Sequence, residues 1–202
     1  MLNVPGGCSR AGPREAGTRH ENSLTPPVTV GLYTRHMSKL LRYFAPGQYC
    51  FVTSVTAGRR PILVKNADIL SYAVYKAHSK SRFSVVAWVV LPDHFHALFL
   101  APDGDIARIM QRVKLSFSLQ HRSRTGEDGP VWQHRYWDHI IRSEQDFRRH
   151  IDYIHYNPVK HGLMDSPGKW ELTSFRRYQR RGFYRADWCI TRTVFSNSEF
   201  GE

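Results

Sequence analysis

Two histidines separated by one residue are the first candidates for metal chemistry in this chain of 202 residues. His94 and His96 follow a Pro-Asp turn, in a segment whose apolar and aromatic residues favour a β-strand. Residues two apart in a strand point to the same face, so both imidazoles can meet one ion while Phe95 points into the core. Two ordinary polar positions on a strand produce the same pattern, so the pair alone does not decide between these interpretations.

A tyrosine and an asparagine four residues apart form the second candidate group. Tyr153 and Asn157 lie in a segment of helical periodicity, so they share one helix face, while Ile151 and Ile154 point elsewhere and anchor the helix. A phenol oxygen can act as a nucleophile, and an amide oxygen can be a metal ligand. A core tyrosine and a helix-ending asparagine before Pro158 explain the same spacing.

The elements that must position these residues follow from hydrophobic periodicity. It predicts strands at residues 48–55, 83–91, 94–100 and 131–141, and helices at residues 67–80, 105–122 and 144–156. Ser143 can cap the last helix, and Pro158 is expected to end it. The order β-α-β-β-α-β followed by one more helix predicts an α+β, ferredoxin-like (RRM-like) fold, in which an antiparallel sheet carries helices on one face.

Three segments resemble the REP-associated tyrosine transposases, which belong to the IS200-like group of HUH single-tyrosine transposases. They are WVVLPDHFHALFL (88–100), VWQHRYWDHIIRSEQDFRRHIDYIHYNPVKHGL (131–163), and the stretch with Trp170 and RRGFYRADW (180–188). The resemblance extends over about residues 40–188, and no active-site position departs from the family pattern.

The resemblance implies an HUH endonuclease fold and a role for each candidate residue. It implies that Tyr153 is the nucleophile, that His94 and His96 are metal ligands, and that Asn157 is the third ligand. The implied ion is Mg²⁺ or Mn²⁺. Two imidazoles favour Mn²⁺ and would also accept Zn²⁺. The implied substrate is single-stranded DNA beside a REP-type hairpin, cut and rejoined through a 5′-phosphotyrosine.

An excess of positive charge predicts a nucleic-acid partner. The chain has 29 Lys and Arg against 17 Asp and Glu, a net charge of +12. An anionic membrane surface is the weaker alternative, because no basic amphipathic helix is visible and no apolar run reaches about 20 residues. The candidate DNA contacts lie on the polar stripe of the second helix and in the tail: Lys114, Arg122, Arg176, Arg177, Arg180 and Arg181.

Composition divides the chain into three parts. Residues 1–36 lack apolar periodicity and are expected to be a disordered arm, or an overextended N-terminus if Met37 is the natural start. Residues 37–165 form the predicted catalytic domain, and residues 166–202 form a basic aromatic tail. The absence of a signal-peptide pattern and three scattered cysteines (Cys8, Cys50 and Cys189) favour the cytoplasm. The working unit is expected to be a monomer or a homodimer.

Two other functions fit the same residues. One is a DNA- or RNA-hairpin binding module without catalysis, because the same sheet hosts single-strand RNA binders. The other is a metal-dependent nuclease in which water attacks and Tyr153 is structural. Formation of a covalent DNA adduct distinguishes both from a transposase.

The remaining histidines and tryptophans carry weaker signals. His139 could lie near the site, but structural polar contacts are the preferred interpretation. His150 lies one turn before Tyr153 and could orient it, contact DNA or belong to a solvated helix face. The sequence assigns no role to His134, His155 or His161, and the simplest interpretation of Trp132, Trp137 and Trp170 is core or lid.

Overall fold

Four strands form one antiparallel sheet. A computed structural model describes residues 45–185, 188 and 200–201; the predicted N-terminal arm, Met37, Cys8 and Cys189 lie outside these residues. The strands are β1 (Tyr49–Val55), β2 (Ser84–Val90), β3 (His94–Leu100) and β4 (Trp137–Ile140). They lie in the order β2-β3-β1-β4, and every neighbouring pair is antiparallel. This arrangement confirms the predicted α+β fold.

Helices cover both faces of the sheet. Helices α1 (Ala67–His78) and α2 (Ile106–Thr125) pack on the face that carries Val52, Phe95 and Phe99. Helices α3 (Glu144–Lys160) and α4 (Phe175–Arg180) pack on the face that carries Phe51 and Leu98. The prediction of helices on one face therefore holds for α1 and α2, and the additional helices bury the second face. None of the helices in the described part of the chain is long and apolar enough to cross a membrane.

Strand β4 is shorter than its sequence predicts. Trp132 forms only an isolated bridge with Thr56, and the regular ladder begins at Trp137. Between them, the Lys114 ammonium on α2 donates to the Gln133 carbonyl at 2.8 Å. The Gln133 carbonyl is thus paired with a side chain, while its amide still donates to the Val55 carbonyl on β1 at 2.9 Å.

Helix α3 does not end before Pro158, so the prediction from this proline is wrong. The helix continues to Lys160 with Pro158 inside it. Pro158 has no N–H to donate to the Ile154 carbonyl four residues before it, but other backbone donors close the turn beyond it. The His161 amide donates to the Asn157 carbonyl at 3.0 Å, and the Leu163 amide donates to the Pro158 carbonyl at 2.9 Å. The additional turn places Lys160 on the same helix as Tyr153.

A chain of buried hydrogen bonds joins α3 to the segment that follows it. His155 Nδ1 donates to Tyr184 Oη at 3.0 Å, and Tyr184 Oη donates to Asp152 Oδ1 at 2.8 Å. His155 Nε2 lies 2.8 Å from Ser174 Oγ and accepts a hydrogen bond from this hydroxyl group. The Trp88 amide on β2 donates to the same oxygen at 2.9 Å. His155 therefore links α3 to the edge of the sheet.

The first part of the predicted tail belongs to the core. Phe175, Tyr178 and Tyr184 are buried against α3 and the sheet. Trp170 Nε1 donates to the Val90 carbonyl at 2.9 Å. Residues 166–185 are thus packed together with the strands and with α3.

The buried imidazole of His155 predicts a loss of stability in acid. Burial lowers the pKa of His155 to about 3, so the folded protein keeps this ring neutral. The unfolded chain takes up the proton below about pH 6.5. This residue alone should therefore lower the free energy of unfolding by about 1.4 kcal/mol per pH unit between about pH 6 and pH 3. Because glutamine keeps a donor and an acceptor but does not titrate, His155→Gln should flatten that slope while lowering stability near pH 8.

Urea unfolding at a series of pH values measures this slope. His134→Gln changes an exposed histidine and should retain the slope of the unaltered protein. Equal slopes for His155→Gln and the unaltered protein would contradict the assignment of a neutral His155.

Candidate active site

His94 and His96 lie side by side on the sheet face that α3 covers. Strand alternation places both imidazoles on this face and Phe95 in the core on the other face. The two rings have centres 4.9 Å apart, and both side chains are buried. With a metal–nitrogen distance of about 2.1 Å, two imidazoles on one ion have ring centres about 5 Å apart. The spacing of the pair therefore fits a shared ion.

Each of the two histidines forms a hydrogen bond through Nδ1 to a different neighbouring side chain. His94 Nδ1 lies 2.6 Å from Asp93 Oδ1, and His96 Nδ1 lies 2.8 Å from Thr53 Oγ1. An ionised carboxylate only accepts, and Thr53 uses its own proton on the Phe200 carbonyl at 2.5 Å, so both Nδ1 atoms carry protons. Nε2 is then the nitrogen with the lone pair on each ring. Histidines that bind metals are typically oriented in this way, with the second nitrogen donating to the protein.

Asp93 remains ionised under ordinary conditions. The hydrogen bond from His94, together with the ion pair to Arg59 at 3.0 Å, lowers the pKa of Asp93 to about 2 although partial burial opposes the shift. A carboxylate that stays charged remains an acceptor for His94, so the orientation of this imidazole does not change with pH in the neutral range. An aspartate directly before the histidine pair was the sequence signal for this contact.

Tyr153, Asn157 and His161 follow one another at one-turn intervals and form a stripe of side chains along the same sheet face. The ring of Tyr153 lies 5.2 Å from that of His96, and the ring of His161 lies 5.2 Å from that of His94. Asn157 is fully buried, one turn after Tyr153 and one turn before His161. The structure thus brings the predicted nucleophile and the histidine pair together, with Asn157 on the stripe between the two contacts.

The hydroxyl group of Tyr153 contacts a lysine that the sequence did not single out. Lys160 Nζ donates to Tyr153 Oη at 2.9 Å, and it lies 4.7 Å from the centre of the tyrosine ring. No sequence pattern singled out Lys160, because the helix was expected to end before it. His161 was missed for the same reason.

A second polar cluster lies where α3 begins. The ligand atoms of His139, Asp146 and His150 all lie within 4.8 Å of one another, so this group could hold a metal ion. The Asp146 carboxylate accepts a hydrogen bond from His139 Nε2 at 2.9 Å, and His150 Nδ1 donates to the Asp146 backbone carbonyl at 2.8 Å while lying 3.0 Å from the carboxylate. The two imidazole rings are stacked, 4.7 Å apart and 10° from parallel, so their in-plane lone pairs do not meet at one point. In this conformation hydrogen bonds hold the cluster together.

The same cluster fixes the first turn of α3. Ser143 caps the helix as its sequence predicts, because its Oγ accepts from the Asp146 amide at 3.1 Å. Asp146 in turn ties His139 on β4 to His150 on α3. Burial lowers the pKa of His150, which is a buried residue and not part of a solvated helix face. These contacts set the position of Tyr153 one turn further along.

Phe200 covers the tyrosine. Its ring lies parallel to that of Tyr153, with centres 3.6 Å apart and an interplanar angle of 8°. Gly201 follows with φ +73° and packs against Trp137, where a Cβ atom would clash. Tyr153 is fully buried under this contact. Phe200 on the ring face and Lys160 on the hydroxyl oxygen are therefore two of the groups that cover this side chain.

The candidate DNA-contacting residues fall into two groups. Lys114 and Arg177 are half-buried and donate to backbone carbonyls, those of Gln133 and Val86 respectively. Burial lowers the pKa of Lys114. The others are more open to solvent: Arg122, whose guanidinium donates to the Gly129 carbonyl at 2.7 Å, and Arg176, Arg180 and Arg181 in and just after α4.

Comparison with known proteins gives the family. Residues 47–157 match the family model described as "Transposase IS200 like". The chain belongs to the IS200-like transposase family. The REP-associated tyrosine transposase of Escherichia coli (strain K12) is 35% identical to this transposase over 166 residues, which are 81% of this chain and 98% of the relative. A relative from Haemophilus influenzae is 33% identical over 165 residues, 75% of this chain and 93% of its own length.

A solved structure agrees with the same assignment. The structure of a REP-associated tyrosine transposase bound to a REP hairpin superposes on this transposase with a TM-score of 0.69 and 34% identity. The match covers 79% of this chain and 96% of that one. The resemblance, the HUH fold and the classification as an enzyme are confirmed by these matches.

The position of Phe200 predicts that its removal accelerates strand cleavage. Phe200→Ala removes a stacked ring from Tyr153, and such contacts contribute about 0.5–1.5 kcal/mol, so we expect the cleavage rate to rise about two- to tenfold. Phe183→Ala removes an exposed ring outside the site and should leave the rate unchanged. Cleavage of a labelled hairpin oligonucleotide measures both variants. An unchanged or lower rate for Phe200→Ala, with the melting temperature retained, would show that Phe200 does not restrict the site.

Proposed function

We propose that this transposase cleaves and rejoins single-stranded DNA beside REP-type hairpins, with Tyr153 as the nucleophile. The observation that carries the proposal is the tyrosine ring 5.2 Å from His96, on the face where both imidazoles are oriented through Nδ1. The solved relative is bound to a REP hairpin, which supports the same class of DNA for this chain.

The proposed ligands of a divalent ion are His94, His96 and Asn157. The spacing and orientation of the two imidazoles support the pair, and the buried position of Asn157 on the stripe beside them supports the third ligand. Mg²⁺ and Mn²⁺ are the proposed ions, and two imidazoles favour Mn²⁺. When bound, the ion polarises a non-bridging oxygen of the scissile phosphate and orients that group for in-line attack.

The protein's own residues carry out the remaining steps. Tyr153 Oη forms a bond to phosphorus as the bond from phosphorus to the 3′ oxygen breaks, and the phenol proton ends on that 3′ oxygen in the net reaction. The products are a 5′-phosphotyrosine and a free 3′-OH. Because the covalent link preserves the energy of the phosphodiester, attack by a 3′-OH on the phosphotyrosine rejoins a strand without ATP.

Charge on the protein surface supports binding of the DNA backbone. The exposed guanidinium groups of Arg176, Arg180 and Arg181 are suited to phosphate contacts, and the net charge of +12 attracts a polyanion over longer distances. Lys114, Arg122, Arg176 and Arg177 contact backbone carbonyls in the absence of DNA, so a phosphate would have to compete with these acceptors. The proposed place of action is the cytoplasm, whether as a monomer or a homodimer.

A hairpin-binding protein without catalysis is the second candidate function. The complete burial of Tyr153 beneath Phe200 favours it, because a nucleophile that never becomes accessible cannot react. The two functions differ in one product. Only a transposase forms a covalent bond between the protein and the 5′ end of the cut strand.

Separate substitution of two tyrosines on α3 distinguishes the loss of a specific nucleophile from a general effect of altering the helix. Tyr153 and Tyr156 are separated by about 60° around the axis, and only Tyr153 lies beside His96. We expect Tyr153→Phe to bind hairpin DNA with unchanged affinity but to form no adduct, while Tyr156→Phe retains most of the activity. Denaturing gel electrophoresis of end-labelled DNA detects the adduct. Adduct formation by Tyr153→Phe would overturn the assignment.

The histidine pair predicts a metal requirement that is separable from DNA binding. His94→Ala and His96→Ala should each reduce cleavage on the order of a hundredfold or more, because each removes one of the metal's ligands. Hairpin affinity should change little, and a chelator should reproduce the loss until Mn²⁺ is restored. The matched control is His134→Ala, which removes an exposed imidazole. Full cleavage by either variant in metal-free buffer would be inconsistent with the proposed metal site.

A further inference from the structure

Lys160 stands in line with the proposed nucleophile on α3. Seven residues separate it from Tyr153, so the two side chains leave the helix only about 20° apart around the axis and two turns apart along it. This alignment exists only because the helix continues through Pro158 to Lys160. The lysine then reaches back along the helix, and its Nζ donates to Tyr153 Oη at 2.9 Å.

The ammonium group of Lys160 points in an unusual direction for a lysine that only packs its aliphatic stem on the protein surface. Lysines normally place the aliphatic stem on apolar surface and the ammonium group in water. Lys160 instead directs its ammonium group towards the hydroxyl oxygen of a fully buried tyrosine. Lys169 shows the ordinary arrangement: it is exposed and pairs with Asp165 at 2.8 Å.

An ammonium group gains most from this contact when the oxygen carries negative charge. Charge-assisted hydrogen bonds are about twice as strong as neutral ones. The contact of Lys160 with Tyr153 Oη therefore strengthens as negative charge develops on that oxygen. An interaction that is stronger in the transition state than in the ground state accelerates a reaction instead of only tightening binding.

We propose that Lys160 is a catalytic residue of both strand cleavage and strand rejoining. In cleavage its ammonium group stabilises negative charge on Tyr153 Oη as the phenol loses its proton and the bond from Oη to phosphorus forms. In rejoining, a 3′-OH attacks the phosphotyrosine, the bond from phosphorus to Oη breaks, and the same ammonium group stabilises the departing oxygen. The proton lost by the 3′-OH is regained by Tyr153 in the net reaction, so no further reactant is required. The inference rests on the proposed function, because it requires Tyr153 to be the nucleophile.

The test uses the full chain with Mn²⁺ and a labelled oligonucleotide that carries a REP-type hairpin with adjacent single-stranded DNA. We expect Lys160→Met to lower the rate of adduct formation at saturating DNA by about ten- to a hundredfold, the usual effect of losing a hydrogen bond to a charged group. The DNA concentration at half-maximal rate should change little. Lys160→Arg should recover a substantial part of the rate, because it restores a positive donor. Lys169→Met removes the same charge from the surface and should behave like the unaltered protein.

A second arm separates charge stabilisation from a structural effect. Replacing Tyr153 with 3,5-difluorotyrosine gives a phenol oxygen that holds negative charge more readily, so it depends less on the lysine. With this residue at position 153, the loss caused by Lys160→Met should shrink several-fold. Rejoining, followed from purified adduct and an oligonucleotide with a free 3′-OH, should be slowed to a similar extent as cleavage.

The possible results separate the two proposals. An unchanged maximal rate for Lys160→Met, while Tyr153→Phe forms no adduct, would overturn the role of Lys160 and leave the proposed function intact. A reduced rate that difluorotyrosine does not recover, or a reduced melting temperature that accounts for it, would show that Lys160 is structural. Adduct formation by Tyr153→Phe would overturn the proposed function, and the role of Lys160 with it.

Discussion

Helix α3 packs against the sheet face that carries His94 and His96, and the geometry of the site depends on this contact. The helix buries Ile151 and Ile154 against this side of the protein while it presents Tyr153 beside His96. Contacts fix both of its ends: the hydrogen-bonded cluster around Asp146 where it begins, and the carbonyls that close its last turn beyond Pro158. Between these points the helix has little freedom to slide, so the distance from the tyrosine to the histidine pair is set by packing.

Three buried histidines, His94, His96 and His155, each have specific hydrogen-bond partners. An unsatisfied buried polar group costs about 1–3 kcal/mol, so the partners of His94, His96 and His155 are part of the stability of the fold as well as of the site. Asp93 and Thr53 select the same ring nitrogen on the two histidines. Lys160 and Phe200 both act on Tyr153, one through the hydroxyl oxygen and the other through the ring face. If Tyr153 is the nucleophile that we propose, the residues of the site are in place but the tyrosine is covered.

Local periodicity predicted β1 to β3 and the positions of α1 to α3, but it made β4 too long, missed α4 and did not give the contacts between distant segments. The alternation of β3 placed His94 and His96 on one face, and the helical spacing placed Tyr153 and Asn157 together, because both patterns depend only on near neighbours. Thr53 lies 43 residues before His96, and its contact depends on the register of β1 against β3, which no local pattern reveals. The rule that proline ends a helix was wrong for Pro158, because the helix continues to Lys160 and backbone hydrogen bonds close the turn beyond the proline. That error concealed Lys160.

The most direct test is to identify the residue that carries DNA in the trapped adduct of the unaltered protein. Trypsin cleaves after Arg149 and Lys160, so one peptide, residues 150–160, contains both Tyr153 and Tyr156. After nuclease digestion, fragment ions of this peptide locate the remaining nucleotide by mass spectrometry. The geometry of α3 predicts the nucleotide on Tyr153. A nucleotide on Tyr156 or on any other residue, or cleavage that proceeds without a covalent adduct, would contradict the central claim that α3 holds Tyr153 in place as the nucleophile beside the histidine pair.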